Sequence, residues 1–467
     1  MITLPAQPDW PVDPLPAIRS AVRADPRLLV VLDDDPTGTQ TVYDIPVLTI
    51  WDIATLTAEM ARGLPCYYIL TNSRSMPLSQ AQAIHREIGT NLIAASQQSG
   101  RGLAIVSRSD STLRGHFPGE TDALAATLGG FDATLLIPAF LDGGRITIDN
   151  IHYVNNGTAL IPVAETVYAR DAAFGFHTSD LRAWIEEKSA GRIAASAVQS
   201  LSIAEIRGGG PAQIGERLAR LPYGSICIVN AASERDLAVV AQALLEVEET
   251  GRRILLRTAA SFVATRLGLA RRPLLSAVEM HIPAGAGGLV IVGSYVSTTS
   301  AQLADLLAHA EASSDQAGGV THIELDVAAL LDPAMREAQI GNAAERTSLL
   351  LAQNRTVVLA TSRTLIVGDS PEASLAIGRQ ISEALIATVR AIQQRPRYIL
   401  AKGGITSSDI ATQALGVERA IVLGQLLPGV PVWQLGPESR FPGMPYVVFP
   451  GNVGGPGALR EAIARLG

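Results

Sequence analysis

Three aspartates, Asp33-Asp34-Asp35, stand where the apolar run 28–32 stops, and Pro36-Thr37-Gly38-Thr39 turns the chain immediately afterwards. Adjacent carboxylates repel one another and lose hydration at the end of a buried strand, a cost that persists only where the charges are used. Two uses fit these residue types. The carboxylates act on a substrate hydroxyl or a metal ion, or one of them is itself phosphorylated. A second polar cluster follows another apolar run: Arg108, Asp110, Ser111, Thr112 and Arg114 fall within seven positions, closed by Gly115. Guanidinium groups grip a carboxylate through two parallel N–H bonds and hydroxyls complete the pattern, so this stretch suits a small carboxylated, hydroxylated ligand. Arg74, in the turn Thr71-Asn72-Ser73-Arg74-Ser75, is placed to join it. The plainer alternative is a solvated, salt-bridged turn.

Three more glycine- or hydroxyl-rich loops occupy 293–302, 402–412 and 449–458. Glycine lets backbone N–H groups approach phosphate oxygens, and helix starts add a favourable dipole. Each loop taken singly also reads as an ordinary helix cap. The chain has neither G-x-x-x-x-G-K-[ST] nor a G-x-G-x-x-G after a strand, so a nucleotide site here must use a different loop. Among 37 basic residues only Lys188 and Lys402 are lysines. Lys402 precedes Gly403-Gly404, where its ammonium would neutralise phosphate or simply reach water; Lys188, on a charged helix end, reads as solvated.

The elements that must position these residues follow from periodicity. Apolar runs at 28–33, 45–50, 66–71, 103–107, 133–138, 225–229 and 253–257 read as strands, with helical patterns such as 77–96, 202–219 and 234–249 between them. Residues 141–170, rich in Gly, Asn and β-branched types, break the alternation and read as a hairpin excursion. The stretch 271–288 reads as a linker. A second series follows, with strands at 289–293, 320–325, 356–361 and 397–401 and helices at 299–312, 333–353, 371–393 and 406–415. Three short strands at 420–423, 430–435 and 446–449 and a helix from 456 complete it. The expected fold is α/β in two domains, 1–275 and 276–467, each a mostly parallel sheet with flanking helices and a ligand cleft between them. Four of the polar loops follow strands, where open α/β sheets bind ligands, and the fifth, 449–458, opens the last helix.

Composition narrows the function classes. Hydrophobic content of 47% with only 4% aromatics implies an aliphatic core. A net charge of −7 with acids and bases interspersed leaves no nucleic-acid face. No apolar stretch reaches the roughly 18 residues of a membrane span. Residues 1–16 lack a basic-then-apolar signal, so a cytoplasmic location is expected. Cys66 and Cys227 sit in strand-like runs and read as buried thiols of a reducing compartment. The seven histidines show no ligand spacing, so a structural zinc site is not expected, and no metal-ligating residue is nominated.

Taken in order, these stretches resemble the four-carbon acid sugar kinase family. The matching residues are Asp34-Asp35-Pro36-Thr37-Gly38, Asp110-Ser111-Thr112-Leu113-Arg114-Gly115, Gly293-Ser294-Tyr295-Val296-Ser297, Gly403-Gly404-Ile405-Thr406-Ser407 and Gly451-Asn452-Val453-Gly454. The likeness runs from about residue 28 to 460 and departs from the family pattern at Pro36, Thr39, Ile405, Ser408 and Phe449-Pro450. It implies an ATP-dependent kinase of tetronates such as threonate, erythronate or 3-oxotetronate. The sugar acid would bind the first domain through Arg74, Asp110, Ser111, Thr112, Arg114 and Gly115. ATP, with Mg2+ carried on its phosphates, would bind the second through Ser294, Ser297, Gly403, Gly404, Ile405, Thr406, Ser407, Gly451, Asn452 and Gly454. Asp35 is then the expected base, Asp34 the assisting or metal-associated carboxylate and Asp33 a strand-end cap; a homodimer is the candidate assembly.

Two other readings stay in view. Asp33-x-Asp35-x-Thr37 is also the pattern of haloacid-dehalogenase-type phosphatases, with Asp33 as nucleophile. Those enzymes need a downstream lysine followed by a late acidic pair, whereas the one Gly-Asp turn, at 368–370, precedes Lys402. A non-catalytic ligand-binding protein is the other.

Overall fold

The polar turns leave the carboxyl ends of parallel strands, and strand order explains why those within each unit lie close together. The computed structural model describes residues 7–311, 319–363, 366, 369 and 371–467, and the chain divides into two units, Met1–Arg271 and Arg272–Gly467. Residues 1–6 of the expected leaderless terminus, and Gly368 and Ser370 of the Gly-Asp turn, lie outside the described residues.

Among the described residues the first unit contains β1 (Leu28–Asp33), β2 (Ile45–Leu48), β3 (Cys66–Leu70), β4 (Leu103–Arg108), β5 (Ala133–Ile137), β6 (Arg145–Ile148), β7 (Ile151–Asn155), β8 (Leu160–Pro162), β9 (Gln199–Leu201), β10 (Ser225–Val229) and β11 (Ile254–Thr258). Eight of these form a parallel sheet in the order β2-β3-β1-β4-β11-β5-β10-β9. All six residues of β1 are buried, as a parallel strand covered on both faces requires. One cover is the helix Leu78–Ser99, whose Ile88, Leu92 and Ala95 are packed with Val30, Leu32 and Ile69. Each fully buried Leu or Ile there stabilises the unit by about 1.5–3 kcal/mol. From β1 the chain adds β2 and β3 on one side and then crosses to β4 on the other. The ends of β1 and β4 therefore flank a topological switch point, the crevice where such sheets bind ligands.

The excursion expected at 141–170 is real. It forms the antiparallel sheet β6-β7-β8, apart from the main one.

The second unit has β12 (Leu289–Val292), β13 (Val320–Leu325), β14 (Thr356–Thr361), β15 (Ile399–Lys402), β16 (Arg419–Leu427), β17 (Val430–Leu435) and β18 (Pro445–Phe449), in the order β13-β14-β12-β15-β18-β17-β16. The first five of these are parallel, and β17 and β16 are antiparallel additions. Here the switch point lies between β12 and β15. Three expectations change. The strand expected to stop at 423 continues to Leu427, because Gly424 at φ +142° takes up a register shift within the β16–β17 ladder. The helix expected at 406–415 is an α-helix over Gly404–Asp409 followed by a π turn over Ile410–Ala414. The stretch read as a linker sends Leu275 and Met280 into the core of the second unit, so it is packed rather than free.

Cys66 and Cys227 are both fully buried, and burial pushes the Cys66 thiol far up and the Cys227 thiol up to about 12. Native protein at pH 8 is expected to leave both thiols unreacted with a disulfide reagent over minutes, and both should react after denaturation. A rapidly titrated thiol in the native protein would contradict this packing.

Candidate active site

The register of the first sheet brings four strand ends side by side. Asp33 is level with Leu70 and Arg108, and Thr258 is level with Arg108. The three aspartates are thereby surrounded by cations, and each has a different environment. Asp33 is 1% exposed, its Oδ1 accepts from Arg108 Nη1 at 3.1 Å, and its Oδ2 has no hydrogen-bond partner. Gly38 lies against this carboxylate so closely that a Cβ there would collide with it. Burial, with the charges of Asp34 and Asp35, pushes the Asp33 carboxyl up to about 7 despite Arg108. Asp33 is thus a buried partner of Arg108, and its Oδ1 also accepts from Asp35 N at 3.4 Å just past the strand end.

Asp34 is also buried but fully engaged. Arg74 donates to it from both Nε, at 3.1 Å, and Nη2, and Ser109 Oγ donates at 2.7 Å. Asp35 is the most open of the three, its side chain 18% exposed. Its Oδ1 accepts from Thr37 N at 2.8 Å and Thr37 Oγ1 at 2.6 Å, and Arg74 Nη1 is 3.5 Å from Oδ2. Burial would raise its pKa, but Arg74 and the Thr37 hydrogen bonds outweigh that and hold the carboxylate below its ordinary value. The outcome is one proton-holding carboxyl inside and one ionised carboxylate at the rim.

The loop after β4 completes the site. Arg114 donates from Nε to Asp110 at 2.8 Å and to Thr112 Oγ1 at 3.2 Å, faces Asp171 at 3.5 Å, and lies 5.2 Å from the Tyr168 ring centroid. Thr112 also donates to Asp110. Burial opposes ionisation of Asp110, but Arg114 and Arg74 hold it well below the carboxylate range. Gly115, at φ +122°, leaves no room for a Cβ beside Ser109 and the Asp34 carboxylate. Ser111 is buried and its carbonyl accepts from His152 Nε2 at 2.7 Å. Because a carbonyl can only accept, Nε2 carries the proton and Nδ1 accepts from Thr147 Oγ1 at 2.9 Å. Burial draws His152 down to about 4, so this neutral imidazole ties the β6–β7 hairpin to the loop. A small cavity adjoins the cluster, lined by Asp110, Arg114, Arg257, Thr258 and Trp184. Thr258 Oγ1 is buried without a partner.

In the second unit the three glycine loops also converge. A Cβ on Gly293 would meet Thr406 Oγ1, and one on Gly403 (φ +115°) would meet Ser294 and Thr406. Thr299 Oγ1 donates to Gly451 O at 2.9 Å, and Gln302 Nε2 donates to the carbonyls of Val453, Gly454 and Gly455 at 2.9–3.2 Å. Ser297 and Asn452 are exposed at the surface of these loops, as is Ile405. Ser407 is turned inward, its hydroxyl donating to Ala401 O at 2.8 Å, so it holds the turn. Lys402 does not reach water: it is fully buried, with Nζ donating to Pro450 O and facing Gly451 O. Lys188 likewise caps the carbonyls of Phe174 and Gly175 and is not a solvated residue.

The structure thus brings together every first-unit residue singled out from the sequence, and the second-unit residues gather around the β12–β15 switch point. Sequence reasoning overlooked Ser109, Glu120, His152, Arg257 and Thr258. Arg257 bonds Glu120 at 2.7 Å and Ser107 at 2.6 Å beneath the site. The available signal was the pair Arg257-Thr258 ending an otherwise apolar strand.

A family profile for a sugar-binding N-terminal domain matches residues 29–266. The chain belongs to this sugar-binding family. Residues 289–459 match the profile of a nucleotide-binding C-terminal domain. The chain is 25% identical over 408 residues to D-threonate kinase of Salmonella typhimurium, covering 85% of this chain and 87% of that protein. It is 28% identical over 232 residues to D-erythronate kinase of Heliobacterium modesticaldum, covering 48% and 46%. The solved structure of Haemophilus influenzae protein HI1011 superposes with a TM-score of 0.62 at 18% identity, covering 94% of this chain and all of that one, and so shares the fold.

The raised pKa of Asp33 has a defined consequence for stability. The unfolded chain releases this proton near 3.8 and the folded chain holds it to about 7, so the contribution is complete below 3.8 and is lost as pH rises to 7. Urea unfolding of wild type and Asp33→Asn across pH 3.5–8 is expected to show a stability difference that shifts in favour of the variant through that window and levels off above it. A difference independent of pH would mean that Asp33 does not titrate there.

Proposed function

We propose that this protein is an ATP-dependent kinase that phosphorylates a hydroxyl of a four-carbon sugar acid, of the threonate, erythronate or 3-oxotetronate type. The observation that carries the reading is the ionised, rim-placed Asp35 sharing Arg74 with Asp34 beside the Asp110–Arg114 loop and its cavity. The sugar-binding and nucleotide-binding profiles and the two kinase relatives support it.

In this reading the acid occupies the first unit. Arg74 and Arg114 hold its carboxylate, and Asp110, Ser111 and Thr112 take its hydroxyls. The glycine loops around Ser294, Gly403-Gly404-Ile405-Thr406 and Gly451-Asn452-Val453-Gly454 hold ATP, with bare backbone N–H groups facing phosphate oxygens. The substrate oxygen attacks the γ-phosphorus, the bond to the ADP oxygen breaks, and the hydroxyl proton passes to Asp35. Asp35 needs no raised pKa, because the hydroxyl becomes acidic only as the new P–O bond forms; positioning and charge neutralisation supply most of the acceleration. Asp34 assists by fixing the Arg74 fork. Among the described residues no group of three or more His, Cys, Asp or Glu side chains could hold a metal. In this reading magnesium would be carried on the ATP phosphates and water, where it would supply charge neutralisation.

The phosphatase alternative needs Asp33 reachable and ionised. Asp33 is 1% exposed, closed over by Gly38, and holds its proton to about 7, which disfavours a nucleophilic role. A binding-only protein would not consume ATP.

Two substitutions test the assignment. Asp35→Asn keeps the shape but cannot accept the proton, and is expected to lower kcat by about 10²–10⁴ with little change in either KM. A near-normal kcat would remove Asp35 as the base, and covalent phosphate on Asp33 by mass spectrometry would replace the kinase with the phosphatase. Arg114→Lys keeps the charge but loses the planar fork, so KM for the sugar acid should rise severalfold while nucleotide affinity stays level. A fall in nucleotide affinity instead would reverse the roles of the two units.

A further inference from the structure

The arginines of the first-unit site each face a carboxylate: Arg74 with Asp34, Arg108 with Asp33, Arg114 with Asp110 and Arg257 with Glu120. Arg363, which follows β14 in the second unit, does not. Its Nη1 donates to Ser294 O at 2.7 Å. Its Nη2 donates to Thr361 O at 2.7 Å, Thr361 Oγ1 at 2.9 Å and Val292 O at 3.3 Å, and its Nε to Thr361 O at 3.0 Å. Every one of these partners is neutral. Burial draws the guanidinium below its usual range, and the charge of Glu324, which makes no ion pair with it, does not offset this.

A second cation on the other side of β12 is in the same condition. Val292 at the end of β12 is level with Lys402 on β15. The Lys402 ammonium meets only the carbonyls of Pro450 and Gly451 and the face of Phe449, 3.9 Å from the ring centroid. Burial alone brings it down to about 7. Among the described residues, therefore, two cations without an acidic ion-pair partner flank the Gly293-Ser294 turn at the switch point. Neutral partners satisfy hydrogen bonds but leave the positive charge uncompensated, so an anion arriving at this turn would be favoured. Arg363 is the cation that can meet it, being partly exposed and retaining a second N–H on Nη1 beyond the bond to Ser294, whereas Lys402 is sealed.

We infer that Arg363 binds the phosphate chain of the nucleotide, with the buried Lys402 adding positive potential behind the same turn. The inference rests on the nucleotide reading of the second unit and adds to it a residue outside the glycine loops. It also separates two kinds of role. A brace for the Ser294 and Thr361 carbonyls would affect all ligands alike, whereas a charge recognises phosphate only.

The test is calorimetric titration of the full chain with ATP, adenosine and inorganic tripolyphosphate, comparing wild type with Arg363→Gln and Arg363→Lys. Gln keeps a donor for the carbonyls and removes the charge; Lys keeps the charge. Arg363→Gln is expected to weaken ATP and tripolyphosphate by about tenfold or more and adenosine by less than about twofold, as for loss of a charge-assisted hydrogen bond. Arg363→Lys should recover part of the loss, and the wild-type advantage of ATP over adenosine should shrink with added salt. Equal weakening of ATP and adenosine, or unchanged ATP affinity in Arg363→Gln, overturns the inference while wild-type ATP binding leaves the nucleotide reading standing. Tripolyphosphate binding that depends on Arg363, with ATP bound no more tightly than tripolyphosphate, sustains the anion site and removes the adenine nucleotide.

Discussion

The first unit is organised around the need to hold three adjacent carboxylates at one strand end. Without Arg108 and Arg74 the Asp33-Asp34-Asp35 run would destabilise the sheet it terminates, since removing one partner of a buried pair leaves an uncompensated charge that costs about 3–5 kcal/mol. Arg108 comes from the neighbouring strand and Arg74 from the turn after the strand on the other side. The parallel register that makes Asp33 level with Arg108 is therefore an electrostatic requirement as much as a packing one. Their surroundings then differentiate three chemically identical side chains: Asp33 with its pKa raised by burial, Asp34 clamped by Arg74 and Ser109, and Asp35 held below its ordinary value at the rim.

The β6–β8 excursion acquires a purpose in this frame. Its buried His152 has one hydrogen bond inside the hairpin and one to the Ser111 carbonyl, so the loop bearing Asp110 and Arg114 is held from a separate small sheet. A neutral imidazole suits that task, because it can donate and accept at once without adding charge to an already crowded electrostatic site. The second unit follows the opposite logic. Its switch point is lined by glycines and flanked by two cations that, among the described residues, bond carbonyls and a hydroxyl rather than carboxylates. The contrast is between the two switch points, one where arginines meet carboxylates and one where Arg363 and Lys402 meet carbonyls.

Much of this was legible in the one-dimensional pattern. The strand spans, the hairpin excursion and the five polar loops could be read because apolar runs, glycines and β-branched residues act locally, through propensity and period. Asp34, Asp35, Arg74, Asp110 and Arg114 could be nominated because charged residues at the end of a buried run are costly wherever they occur. What local reasoning could not supply was pairing. Asp33 looked like a cap alone until Arg108, 75 positions away, proved to be its partner. Lys188 and Lys402 looked solvated or phosphate-facing until neighbouring carbonyls from other segments enclosed them. Gly424 looked like a strand end, but a bulge in a ladder is defined only by the partner strand.

The sequence by itself determined which residue types stand at strand ends and that the chain would build alternating parallel sheets, since both follow from hydrophobic period and backbone preference. Only the tertiary structure decided which aspartate has its pKa raised and which has it lowered, and that Arg363 at the second switch point meets carbonyls and a hydroxyl. Those properties depend on burial and on charges a few ångströms away in space but tens of residues away in the chain, and at short range in a low-dielectric interior such neighbours outweigh anything a residue's own type prescribes.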